Sequence, residues 1–314
     1  MAAGVVHDPV LVDREAVPVV KNSSDMNTAP ISAPAPWGNL WFGKGSDMDG
    51  YYNNFQIPFQ KSINVTVSLP SWIQKGYCVW TILRGQENVP VWVGGHMLPA
   101  HARMKTHHNT DMFIDDMAFV PLLNQSNGTN GVVWSTTYGI RTGRNPHINP
   151  YGFLEGCFHL ITPYHGVGAS PLQRRYGVSA DFPGVVLSTG MEDYYDSSFY
   201  FHAGISQLPV SGVTHMCAEP TTAYDQPRHP ACLLNETQWS GYRNHFMDPL
   251  WFSHGVQLLV RNGGAAGPMP AGLPPSGDAK CYNLEGDPGY FRNITISSLV
   301  WTYEWEDLHH PASQ

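Results

Sequence analysis

The sequence predicts an all-β protein built from two related β-sandwich units. Three observations carry this expectation. First, the chain holds 31 glycines and 26 prolines but only 13% charged residues, a balance suited to many short strands joined by tight turns. Second, Phe, Trp and Tyr make up 12% of the chain, more aromatic side chain than a disordered polymer carries. Third, apolar residues alternate in short runs, and no stretch of helical length repeats them with a helical period.

The elements follow in order. Residues 1–36 read as an N-terminal extension in which residues 10–12 and 17–20 could form edge strands. Residues 37–45 are rich in Trp, Phe and Gly, and tight turns there would expose aromatic faces, Trp41 among them. Residues 51–69 read as a strand pair that breaks at Pro58. In its second half Ile63, Val65, Val67 and Leu69 take one face and Asn64, Thr66 and Ser68 the other. Residues 77–83, 112–123 and 132–138 continue the β pattern. Residues 151–161 read as a strand carrying Glu155 in an apolar run, and residues 185–187 as a short strand. Residues 197–201, 242–246, 256–261 and 294–305 are further strands, whereas residues 205–239 look irregular and residues 263–277 form a Gly/Ala/Pro loop.

An internal echo supports two units. Residues 58–67 can be laid over residues 251–260, each a Phe, a short polar turn and a β-type run, and each followed by an aromatic strand. The division expected is 1–36, 37–150, 151–306 and a tail at 307–314.

Composition also excludes partners. The net charge is −8 and the longest basic cluster is Arg174-Arg175, so neither nucleic acid nor an anionic membrane is an expected partner. No apolar run is long enough to span a bilayer. The first ten residues lack the pattern of a signal peptide, yet N-x-S/T sequons occur at Asn22, Asn64, Asn124, Asn127, Asn235 and Asn293. The expected location is secreted or extracellular, with the cytoplasm as the alternative. Cys78, Cys157, Cys217, Cys232 and Cys281 show no C-x-x-C spacing, so neither a zinc site nor a disulfide framework is expected, and a Cys217–Cys232 bridge is not relied on.

The stretch at residues 188–201 concentrates the chemistry. Glu192, Asp193 and Asp196 lie among Tyr and Phe side chains after a Ser-Thr-Gly turn. Carboxylates can act on glycosidic bonds, and aromatic faces can stack on sugar rings. A calcium loop or a solvated turn is the other reading, although the D-x-D-x-D-G spacing is absent. Glu155 is the candidate partner of Glu192, because glycoside hydrolysis uses two carboxyls. Of the 15 histidines, the group at His101, His107 and His108 has no zinc-site spacing, while His159 and His202 lie near the carboxylates in sequence. No G-x-S-x-G, P-loop or G-x-G-x-x-G motif is present.

Five segments together resemble glycoside hydrolase family 172, the family of difructose-anhydride synthase and α-fructofuranosidase. They are N-N-F-Q-I-P-F-Q-K-S-I-N-V-T-V at 53–67, F-L-E-G at 153–156 and S-T-G-M-E-D-Y-Y at 188–195. Y-R-N-H-F-M-D-P-L-W-F at 242–252 and S-S-L-V-W-T-Y-E-W at 297–305 complete the set. The resemblance implies a double jelly-roll subunit assembling as a homotrimer or hexamer. It also implies retaining glycosidase chemistry on a furanoside such as a fructan or arabinan, with no cofactor and no metal. Glu155 is the implied nucleophile and Glu192 the implied acid/base. Trp41, Phe153, Asp193, Tyr194 and His202 are the expected substrate contacts. The alternatives are a non-catalytic carbohydrate-binding or structural jelly-roll protein, and an amidase that removes N-glycans.

Overall fold

The computed structural model describes residues 37–38, 40–44, 51–66, 81–115, 118–125, 128–143, 151–162, 185–188, 190–196, 205–217, 236–263 and 293–306. The protein is all-β. Among the described residues the longest helix is a single turn, α1 (Met191–Tyr194), and no helix is long and apolar enough to cross a membrane.

Five short strands come first: β1 (Trp37–Gly38), β2 (Phe42–Lys44), β3 (Tyr51–Asn53), β4 (Trp92–Val93) and β5 (His96–Met97). The first three form one small sheet and the last two a hairpin. Then follow β6 (Arg103–Ile114), β7 (Phe119–Gln125), β8 (Thr129–Gly143), β9 (Phe158–Ile161) and β10 (Val185–Ser188). After α1 come β11 (Ser206–Gln207), β12 (Ser211–Cys217), β13 (Glu236–Asn244), β14 (Leu250–Phe252), β15 (Val256–Arg261) and β16 (Ile294–Glu306).

The large sheet has the order β11-β12-β13-β8-β16-β6, with β14 pairing the start of β8 beyond the reach of β13. The smaller sheet has the order β10-β9-β15-β7. All of these pairings are antiparallel. The chain steps between the sheets from β6 to β7 to β8 to β9, and again from β15 to β16. β6-β16-β8-β13 of the large sheet and β7-β15-β9-β10 share one core, as the two sheets of a β-sandwich do. Strands from both sides of residue 150 therefore alternate within the same two sheets, so position 150 does not separate two sandwiches.

Side-chain alternation gives the large sheet two buried faces. Val133, Tyr138, Ile140, Ile296 and Val300 face the smaller sheet and meet Val120, Leu122, Phe158, Leu258 and Val260. Val132, Trp134, Leu299, Trp301 and Tyr303 point the other way, against Phe42, Phe55, Val93, Leu98 and Ala102 from the first strands and their loops. The parity changes along β8 because Trp134 is an extra residue: Trp301 pairs with Ser135 while Thr302 pairs with Val133. This β-bulge sends Trp134 outward and returns Tyr138 and Ile140 to the inner face.

Several expectations are corrected. The alternating run at 62–69 is irregular and exposed over its described part, with Ile63 45% and Val65 46% exposed. Alternation marks one apolar face, but a strand also needs a neighbour for its backbone groups, and residues 62–66 belong to no strand pair among the described residues. Residues 55–59 are not a strand either, although Phe55 is buried. Residues 81–83 are irregular, and the rest of the strand expected at 77–83 lies outside the described residues. Residues 205–239, expected to be irregular, contain β11, β12 and the start of β13. The strands expected at 10–12, 17–20 and 197–201 also lie outside the described residues.

The two-sided core has a measurable consequence. Ile296→Ala and Leu299→Ala empty opposite faces of β16, and each is expected to destabilise the fold by about 2–5 kcal/mol in denaturant titrations. A stability loss from only one of them would mean that one face is not core.

Candidate functional site

Glu155 does not lie on a strand. It ends a 3-10 turn, Gly152–Glu155, closed by the Leu154 amide donating to the Tyr151 carbonyl at 2.9 Å. The turn is tied to the far end of β15, where the Gly263 amide donates to the Phe153 carbonyl and the Arg261 amide to the Cys157 carbonyl, both at 3.1 Å. Gly156 sits at this seam. Its φ of −77° suits any residue, but a Cβ there would run into the Arg261 carbonyl. The glycine of the E-G motif thus permits a close approach of two backbones.

Glu192 lies on α1, directly after β10. The turn closes through Tyr194 and Tyr195 amides donating to the carbonyls of Gly190 and Met191 at 3.1 and 3.0 Å. Gly190 offers no side-chain cap. A four-residue helix is not stable alone, so neighbours must hold it. Both carboxyl oxygens of Glu192 lie over Gly190, where a Cβ would stand 2.7 Å from Oε2. Glu192 is 8% exposed, whereas Glu155 is half-buried.

The fold brings these two turns together, their α-carbons approaching within 8 Å. Phe158, just past the Glu155 turn, stacks on Tyr194 of α1 at 3.8 Å and 11°. Tyr138 and Tyr195 complete the surround, edge-on to each other at 5.2 Å. Burial, then the neighbouring Tyr195 and Tyr194 and the Glu192 charge, hold the Tyr138 hydroxyl well above its ordinary pKa.

A polar network from the end of β13 clamps α1. The Tyr194 hydroxyl lies 2.6 Å from His245 Nε2 and 3.2 Å from Thr136 Oγ1. His245 Nδ1 lies 3.4 Å from Asp248 Oδ1. Arg243 donates to the Tyr194 carbonyl at 2.7 Å, to Asp196 at 2.6 Å and to Asp248 at 2.8 Å. Its guanidinium also lies 5.3 Å from the centre of the Tyr194 ring. Burial alone would raise the Asp248 carboxyl, but hydrogen bonds from His245 and Arg243 outweigh it and hold the pKa at about 2. Burial pushes His245 below the usual histidine value, so it is neutral near pH 7. A neutral ring with Nδ1–H toward Asp248 leaves Nε2 to accept from Tyr194. Sequence reasoning assigned no role to Arg243, His245 or Asp248. The signal available was the i, i+2 spacing of Arg243 and His245, which suits one side of an extended chain.

The expected substrate contacts are scattered. Tyr194 is buried, with Phe158 against its ring and Arg243 near its centre, so it acts as a tie between elements rather than a stacking face. Phe153 is 2% exposed and packs in the core with Tyr151. Trp41 packs on the other face of the large sheet, with Trp134 at 5.0 Å and Phe246 at 5.7 Å. Asp193 is exposed on α1, and His202 lies outside the described residues. Among the described residues no three His, Cys, Asp or Glu side chains converge to hold a metal ion. No disulfide framework was expected, yet Cys157 and Cys217 are each disulfide-bonded. Neither a known family profile nor a curated protein matches this chain.

Two outcomes are expected. Tyr194→Phe keeps the ring but strips Nε2 of the buried His245 of its hydroxyl donor, and should destabilise by about 1–3 kcal/mol in denaturant titrations. Acid should also weaken the fold early. Burial lowers His159 and His215 to about 4, and lowers His245 as well. Their folded pKa values lie below the unfolded value near 6.5, so this contribution is complete above about pH 6.5 and lost as pH falls toward about 4. Denaturation midpoints measured across that window should fall, and less steeply in His215→Gln.

Proposed function

We propose that this chain is a retaining glycoside hydrolase acting on a furanoside such as a fructan or arabinan. The observation that carries the reading is the packing of the Glu155 turn against the Glu192 turn. Retention needs two carboxyls about 5–5.5 Å apart. Turns whose α-carbons approach within 8 Å can place two glutamate side chains at that separation. In this mechanism Glu155 attacks the anomeric carbon while Glu192 protonates the leaving oxygen. A glycosyl ester forms on Glu155. Glu192 then takes a proton from water, or from a hydroxyl of the sugar in a cyclising reaction, and that oxygen displaces Glu155.

The resemblance of the E-G and G-M-E-D-Y segments supports the same assignment. Assembly as a homotrimer or hexamer belongs to the proposal, as does the double jelly roll, which would draw on residues outside the described set. The disulfide-bonded cysteines and the sequons support a secretory location.

Of the non-catalytic alternatives, carbohydrate-binding or structural, one observation favours a structural protein. The aromatic rings flanking the glutamates, Phe153 and Tyr194, are buried against other side chains and present no stacking face.

A panel of aryl furanosides separates the two. The wild type should cleave at least one of them, and Glu155→Gln and Glu192→Gln should each lower kcat/KM by about 100-fold or more. Gly190→Ala should also lower it, because the new methyl group displaces the Glu192 carboxyl. A fluorinated furanoside should leave a covalent adduct on Glu155. Wild-type protein that cleaves nothing, or a Glu192→Gln variant as active as wild type, sinks the hydrolase reading.

A further inference from the structure

Residues 59–66 form a surface strip without helix or strand, and it exposes three apolar side chains. Phe59, Ile63 and Val65 are 41%, 45% and 46% exposed. Asn64 lies between the last two, and both it and Thr66 are exposed. Together Asn64, Val65 and Thr66 make an N-x-T sequon on accessible backbone.

We propose that Asn64 is a site of N-linked glycosylation, modified as the chain passes through a secretory compartment. The co-substrate is an oligosaccharide linked to a lipid pyrophosphate. Asn64 Nδ2 bonds to the anomeric carbon of the first sugar, and the bond from that carbon to the pyrophosphate oxygen breaks. The lipid pyrophosphate leaves, and one amide proton passes to a base of the transferase. The chain supplies the acceptor amide and the Thr66 hydroxyl beside it.

Three observations support this sequon, and the sequons at Asn22, Asn127 and Asn235 lie outside the described residues. The first is its backbone. Glycosyl transfer requires the Asn amide and the hydroxyl two residues later to turn together into an enzyme, which a strand inside a sheet cannot do. Residues 62–66 are in no sheet. Two other sequons are held differently. Thr295 of the Asn293 sequon lies in β16, paired with Phe113 on one side and Arg141 on the other. Asn124 lies in β7 opposite Gln257, whose side chain donates to it at 3.4 Å. The second is the compartment. Cys157 and Cys217 are buried and disulfide-bonded, a state that persists in the oxidising lumen where such transfer takes place. The third is the apolar strip itself. Ile63 and Val65 alternate with polar residues as an unpaired strand would, which invites pairing with another chain. A glycan at Asn64 stands between them and keeps that edge hydrated.

None of this depends on the role of the glutamates. The test is expression of the full chain behind a cleavable signal peptide in a eukaryotic host. The purified protein is then stripped of N-glycans enzymatically in heavy-oxygen water, and its peptides are mapped by mass spectrometry. Asn64 should appear as isotopically labelled Asp in most molecules. Asn64→Gln and Thr66→Ala should each lose that label and migrate as if one glycan lighter, whereas Thr66→Ser should keep it. Should the Gln variant fail to be secreted, the wild-type map and the Thr66→Ser map still decide. An unlabelled Asn64 peptide in wild-type protein, with labels confined to other sequons, overturns the proposal, as does a label that survives Thr66→Ala.

Discussion

The structure depends on β16 being enclosed on four sides. Its backbone pairs with β8 along one edge and β6 along the other. Its even-numbered apolar residues enter the core between the two sheets, and its odd-numbered ones enter the core beneath the first strands. Because every direction is occupied, polar groups along it need partners. Glu304, 2% exposed, is met by His107 and Thr302 at 2.7 Å and by the Lys105 ammonium at 2.7 Å. A buried carboxylate left without such partners would oppose folding strongly. The early hairpins and the smaller sheet are organised as covers for the strands that flank β16.

Sequence reading succeeded where local pattern and tertiary demand coincide. The strand at Val256–Arg261 matches its expected limits, and β16 is one residue longer than expected. β15 is an aliphatic run and β16 a β-branched and aromatic one, and both find partners on two edges. It failed where pattern is decided by distant chain. Ile63 and Val65 alternate as cleanly as any strand, but among the described residues they belong to no strand pair. The echo between residues 58–67 and 251–260 suggested tandem sandwiches, whereas the second stretch is paired in β14 and β15 and the described part of the first forms no strand. Periodicity reports which face is apolar and is blind to which strand lies alongside.

At the candidate site the two glutamates were found from motif and chemistry, and the fold brings their turns together. What surrounds them was not readable. An aromatic residue beside a carboxylate looks the same in sequence whether its face is open or covered. Tyr194 is covered, and the groups that hold it come from the end of β13, some 50 residues further on. The glycines were informative in a way that their turn-forming role concealed. Gly156 and Gly190 have ordinary extended backbones, and each is needed because another group occupies the space of its side chain.

The pairing of β6 with β16 also fixes when folding can finish. His107 and Glu304 are in contact although 197 residues separate them. At the usual pace of synthesis, β6 leaves the ribosome about 10–40 s before β16 exists. Throughout that interval β6 and β8 have a vacant place between them, and apolar residues on both of their faces have nothing to cover them. The topology therefore holds back completion of the main sheet until β16 has been made. It also makes the last strand the least dispensable. A chain that terminates before residue 294 lacks the middle of its main sheet, and no shorter part of the sandwich can close without it.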